Sequence, residues 1–186
     1  MRRLEGVLNG TTNFMLRRME EGASFADALD EAIARGFAEK EWRYDVHGTD
    51  AGIKLVGLAR RLMGRTLDLR EIRFEGVAPG KLGIDGLVTA AVAAAREDGK
   101  RWKLMGQVAL EGDGGAATLS ASVGPRLLPA ADPFARVDGF HNAIAIHGRM
   151  NDSDMDLFLS GPGAGPDETA SRVVGNLNAL VDLLRL

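Results

Sequence analysis

The second half of the chain is written in twos. In "AATLSASV", Ala117, Leu119, Ala121 and Val123 fall on one side, while Thr118, Ser120 and Ser122 fall on the other. That alternation belongs to a strand with one buried face. "RWKLMGQVAL" likewise puts Trp102, Leu104 and Val108 together, and the "EGDGGA" between these two runs reads as a glycine-rich hairpin connection. "NAIAIHG" and "MDLFLS" predict two further short strands.

The first half is written at helical spacing instead. After a short strand in "RLEGVLN" and a turn at "NGTTN", a helix is expected to about Glu21. Ser24, with Asp27 three residues on, makes an acidic variant of the capping box and opens a second helix, which Gly36 closes. Residues 37–48 read as loop. A third helix runs from Thr49 or Asp50 to Gly64, and "DGLVTAAVAAARED" gives a fourth. A last helix from about Thr169 lines up Ala170, Val173, Val174 and Leu177 at helical spacing. Helices first and hairpin-linked strands later predict an α+β fold, with helices packed on one face of a mainly antiparallel (mixed) β-sheet.

Composition narrows the functional classes. The 186 residues make one domain, or one lobe of a larger enzyme, and 45% hydrophobic residues are enough for a real core. A net charge of −3 argues against nucleic acid or an anionic membrane as partner. The absence of cysteine removes disulfides, thiolate zinc sites and a cysteine nucleophile, and suits a reducing, cytoplasmic setting. No targeting segment or apolar run of spanning length is visible. Strand-like sequence begins by about Leu4 and a helical pattern runs into the final "LVDLLRL", so both ends read as cuts in a longer protein.

The candidate chemistry is concentrated in "AEKEWRYDVHGTDAGIK", residues 38–54. Asp50 and Lys54 are spaced i, i+4 and rise from one helix face. Two readings apply. Asp50 suits a helix N-terminus and Lys54 can snorkel to water, with no function implied. Alternatively Glu39, Asp45 and Asp50 converge, and such carboxylates repel one another unless a cation, Lys54 or a substrate ammonium, sits among them. A lysine held between carboxylate and carbonyl is suited to hand a proton to a developing alkoxide. His47 with these acids could ligate a divalent ion, but no metal-site pattern is present and no metal is expected. His141 and His147 flank a strand and read as structural. Further on, "LFLSGPGAGPDETASRVV" reads strand, glycine loop, helix. The spacing does not fit a dinucleotide fingerprint and Asp167 and Glu168 would repel a pyrophosphate, so a tight turn is favoured over a phosphate cradle.

"GVLNGTTNFML", "SFADALDEAIARGFAE", "DVHGTDAGIKL" and "GPGAG...TAS", in that order, resemble the catalytic domain of homoserine dehydrogenase over nearly the whole chain. The combination of "GxLNGTTN" with D-x-x-G-x-D-x-x-x-K carries the resemblance. That family interconverts L-aspartate 4-semialdehyde and L-homoserine with NADPH or NADH, in the biosynthesis of threonine, methionine and isoleucine. The resemblance implies that Lys54 is the general acid/base and that Asp50 positions it. It implies Glu39 and Asp45 as substrate-side carboxylates, Gly10 and Thr11 as the turn facing the substrate, and Phe37 where the family often has tyrosine. Gly161, Gly163, Ala164 and Gly165 match a loop near the nicotinamide.

Two departures stand out. Glu41 and Trp42 replace the family's usual Asp-Pro, and no strand-linked GxGxxG precedes residue 10. Residues 1–186 are therefore expected to be a catalytic and dimerisation domain without the N-terminal Rossmann domain that binds most of the NADP or NAD, inactive by itself and paired as a homodimer. The rival expectation is a non-catalytic amino-acid-binding or oligomerisation module derived from that fold.

Overall fold

A computed structural model describes residues 1–38, 41–112, 117–150, 153–163 and Gly175. The order along the chain is β1 (Arg3–Val7), α1 (Gly10–Glu20), α2 (Phe25–Ala34), α3 (Arg43–Val46), α4 (Thr49–Leu58), β2 (Arg73–Phe74), α5 (Thr89–Glu97), β3 (Lys100–Glu111), β4 (Thr118–Pro129), β5 (His141–Met150) and β6 (Ser153–Pro162). Six strands form one sheet in the order β2-β4-β3-β1-β5-β6. Every pairing is antiparallel except that of β2 with β4. The expected α+β class, helices against a mainly antiparallel mixed sheet, is what is found.

Two-residue alternation decides which face is covered. Leu4, Leu104, Val108, Val123 and Ile146 point from the sheet into a core shared with Met15, Leu16 and Met19 of α1, Ala28 and Ala32 of α2, Leu55 of α4 and Val92 of α5. A smaller apolar group holds Val7, Met105, Ala143 and Ala145 against Phe134 and Val137 of the segment between β4 and β5. Beyond that segment no described element packs on the second face, and Phe158 is 40% exposed there.

The local signals worked at most element ends. Ser24 caps α2, accepting from the Asp27 amide at 3.1 Å, and Ser24 Oγ donates to Asp27 Oδ2 at 2.6 Å. The helix after Thr49 does reach Gly64, but its last turn, Ala59–Met63, is a π-helix. Three expectations differ from the structure. "NGTTN" is no free turn: Asn9 caps α1, whose first residue is Gly10. The stretch read as loop contains, among its described residues, the helical turn α3, which buries Val46 and is too short to display a periodic stripe. α5 starts only at Thr89, because Gly86 takes a left-handed φ of 87°. The expected final helix lies outside the described residues except for Gly175, which is helical, and the tip of the β3–β4 hairpin and the end of the glycine loop lie outside them too.

Candidate active site

The site begins at the C-terminal end of β1, where the strand passes through Leu8 into the cap of α1. Asn9 does two jobs with one side chain. Its Oδ1 accepts from the Thr12 amide at 2.8 Å, closing the helix start. Its Nδ2 donates to Asp45 Oδ1 at 2.6 Å and to Asp50 Oδ2 at 2.9 Å. The amide orientation is fixed on both sides, since reversing it would turn oxygen towards two carboxylates and nitrogen towards an N–H. α3 delivers Asp45, and the first turn of α4 delivers Asp50.

Gly48 sets the angle between these two helices. It is the residue before α4 with φ 87°, and a Cβ there would lie 2.7 Å from Val123 Cγ1 on β4. A side chain would thus be strained and would push α4 off the sheet.

One helical turn after Asp50 stands Lys54. Its Nζ lies 2.7 Å from Asp50 Oδ2 and donates to the Leu8 carbonyl at 3.0 Å. An ammonium has three N–H bonds, and these two partners leave one for an incoming oxygen. The Lys54 side chain is 42% exposed and that of Asp50 32%, so the amine is held from below and open above. The expected lysine between carboxylate and carbonyl is present, although burial by this chain does not enclose it.

The remaining sequence candidates divide. The Thr11 hydroxyl donates to the Phe37 carbonyl at 2.6 Å and so ties α1 to the segment before Glu39. Phe37 sits in an aromatic group, with ring centroids 5.2 Å from Phe14 and 5.4 Å from Phe140. Gly10 is buried as the first residue of α1. Gly161, next to last in β6, lies opposite Asn142 of β5, and the Gly163 amide just past the strand donates to the Phe140 carbonyl at 3.0 Å. Glu39, Ala164 and Gly165 lie outside the described residues. His47 faces Asp85 at 3.9 Å, and among the described residues no group of three His, Cys, Asp or Glu side chains is gathered for a metal ion. His147 lies between Glu5 and Asp156 on the open face of the sheet.

Sequence reasoning missed Asn9 as the hub of the carboxylates, the Leu8 carbonyl, and Asn142, whose Nδ2 donates to that same carbonyl at 3.2 Å. It also passed over Lys103, which is only 2% exposed and bonds Asn13 Oδ1 at 2.6 Å and the Val137 carbonyl at 2.5 Å. Burial pulls the Lys103 ammonium down to about 8, against the opposing pull of Glu20 and Asp138. Asn13 in turn donates to the carbonyls of Val137, Gly139 and His141. The second asparagine of "NGTTN" thereby pins α1 to the segment that leads into β5.

With this geometry in place, comparison with known proteins is decisive. A family model described as Homoserine dehydrogenase matches residues 1–177. The chain belongs to the homoserine dehydrogenase family. An NAD(+)-dependent homoserine dehydrogenase from Pseudomonas canavaninivorans is 37% identical over 173 residues, which are 93% of this chain and 46% of that protein. A crystal structure of S. aureus homoserine dehydrogenase at pH 6.5 superposes with a TM-score of 0.79 at 32% identity, over 97% of this chain and 42% of that one. A hyperthermophilic archaeal homoserine dehydrogenase mutant in complex with NADPH matches with a TM-score of 0.67 at 30% identity, over 95% of this chain and 46% of that one. The chain thus spans less than half the length of each of these homoserine dehydrogenases.

Proposed function

We propose that this chain is the catalytic lobe of an oxidoreductase interconverting L-homoserine and L-aspartate 4-semialdehyde, with Lys54 as general acid/base. The observation that carries the reading is the Lys54 amine, held by Asp50 and the Leu8 carbonyl while its side chain stays 42% exposed, so that one N–H is left for an incoming oxygen. In the reducing direction that N–H gives its proton to the aldehyde oxygen as negative charge develops there; in the oxidising direction the amine takes the hydroxyl proton. Asp50 positions Lys54. Asp45, and Glu39 by its place in the sequence, answer the substrate ammonium. The start of α1 at Gly10 and Thr11 is a suitable neighbour for the substrate carboxylate.

The cofactor is a nicotinamide dinucleotide, which supplies or takes the hydride. The Pseudomonas relative is named for NAD(+) and the archaeal one was solved with NADPH. The cofactor's reactive end is the part that meets this chain, at the stretch of Gly161 and Gly163. A methyl at Gly161 would meet nothing within 4 Å, whereas the Gly163 amide is already bonded to the Phe140 carbonyl and makes no phosphate cradle. The adenosine and phosphates are then held by a part of the enzyme beyond this chain, and the half-exposed Lys54 is covered when that part docks. Two copies pair across the open face of the sheet, and the assembly works in the cytoplasm.

The test compares two proteins. One is this chain alone. The other fuses it behind the portion of the Pseudomonas enzyme that it does not span. The fusion is expected to oxidise L-homoserine with NAD(+) or NADP(+), and the chain alone is expected to be silent while its Asn9 side-chain NMR signals still respond to L-homoserine. A silent fusion with no homoserine response in either protein favours a non-catalytic module.

A further inference from the structure

We propose that Asn142 is a positioning residue that registers the glycine loop against Lys54 through the carbonyl of Leu8. The inference rests on the reading of Lys54 given above and adds a residue to that same site.

Three observations meet at this side chain. Asn142 Nδ2 donates to the Leu8 carbonyl at 3.2 Å, and Lys54 Nζ donates to the same oxygen at 3.0 Å. One carbonyl with two lone pairs therefore joins β5 to the amine on α4. The carboxamide also occupies the place a side chain at position 163 would need: a Cβ on Gly163 would lie 2.2 Å from Asn142 Cγ and 2.4 Å from both Nδ2 and Oδ1. Finally, Asn142 Oδ1 is buried and has no hydrogen-bond partner among the described residues. Exchanging the amide atoms would not help, since oxygen would then face the Leu8 oxygen.

A buried carbonyl oxygen left unbonded is costly, so the carboxamide stays in place for what its other end does. Its nitrogen holds the Leu8 oxygen at the height where Lys54 meets it, and its plane is the floor on which the backbone of Gly163 rests. The glycine requirement at 163 follows from this contact. Any displacement of the loop reaches the amine through two contacts, Gly163 on Asn142 and Asn142 on the Leu8 carbonyl. With Gly161 and Gly163 facing the reactive end of the cofactor, as proposed above, this amide would keep hydride and proton in mutual register.

The experiment is a double-mutant cycle in the fused enzyme, with Lys54→Ala as control. Asn142→Ala removes the donor, and Gly163→Ala drives the carboxamide off the Leu8 carbonyl. Each is expected to lower kcat about tenfold, the cost of one misplaced hydrogen bond, with the KM for homoserine changed less than twofold. Because both act through one contact, the double variant is expected to be no slower than the worse single one. The 13Cε signal of Lys54 should move in both single variants of this chain alone. Multiplying effects, about a hundredfold in the double variant, would overturn the proposal, as would an unchanged kcat in either single variant or a motionless Lys54 signal. Should Gly163→Ala fail to fold, Asn142→Asp keeps the shape but presents a carboxylate to the Leu8 oxygen, and wild-type kcat in that variant would also overturn it. If Lys54→Ala leaves turnover intact, the reading of the lysine fails; if Lys54→Ala is dead while Asn142 is silent, only this inference fails.

Discussion

Asn9 holds together one helix cap and two acids, and a choice of substitutions separates the two roles. Asparagine and aspartate are equally good caps, so a residue that only capped α1 would tolerate Asn9→Asp better than Asn9→Ala. Here an aspartate would face Asp45 and Asp50, which now accept from Nδ2. We expect urea denaturation at pH 7 to show Asn9→Ala less stable by about 1–2 kcal/mol and Asn9→Asp less stable still. Lys103 gives a second residue-scale prediction. Its ammonium, ordinarily near 10.5, titrates near 8 when folded because it is buried. Between those values the unfolded chain holds a proton that the folded chain has lost, so stability rises as pH climbs from about 8 to about 10.5 and is unaffected by this group below 8. The rise, on the order of 3 kcal/mol at most, should disappear from the pH dependence of the denaturation midpoint in Lys103→Met.

At this scale the sequence disclosed the pairs that sit on one helix. Asp50 and Lys54 were legible because i, i+4 spacing alone makes them touch. Asn142 and Leu8 were not, because 134 residues separate them and only the sheet pairing brings them together. Lys103 was hidden by parity: it alternates with Trp102 and Leu104, as a solvent-facing lysine would, yet its amine is held by Asn13 of α1 and by the Val137 carbonyl between β4 and β5.

At the scale of elements, the position of α4 against the sheet decides the site, and Gly48 decides the position. Its left-handed φ and its contact with Val123 predict that Gly48→Ala lowers stability by on the order of 2 kcal/mol. The same variant should disturb the NMR signals of Asp50 and Lys54 before any other part of α4, since the helix is displaced at its first turn. Thermal or urea unfolding measures the first effect; a stability within experimental error of wild type would remove the steric account of that glycine. The helix ends themselves were readable, because Ser24 and Gly64 act on neighbours a few residues away. The turn of helix that carries Asp45 was not, because four residues show no period. The start of α5 was misplaced because the left-handed turn at Gly86 interrupts a run that looks helical by composition.

The described residues form a sheet with helices on one side and, among them, little that covers much of the other. Alternation forecast the layers but not the strand order, which places β1, the first strand, between β3 and β5. That central place puts the end of β1 beside both α4 and β5, and so joins Leu8 to Lys54 and to Asn142. On the bare face Phe158 packs edge-on against Phe134, with centroids 5.1 Å apart, and stays 40% exposed. If two copies pair there, Phe158→Glu places a charge in an apolar contact and should convert a dimer into a monomer in sedimentation, with the fold retained. A dimer that survives the substitution assigns the pairing to another surface.

The central claim is that Lys54 moves the proton. The most direct measurement is homoserine oxidation by the fused enzyme and by its Lys54→Ala variant, with folding and cofactor affinity checked in both. The account predicts a fall in kcat of at least about a hundredfold, as expected when a positioned acid/base is deleted. A variant that turns over within about tenfold of the parent would contradict it.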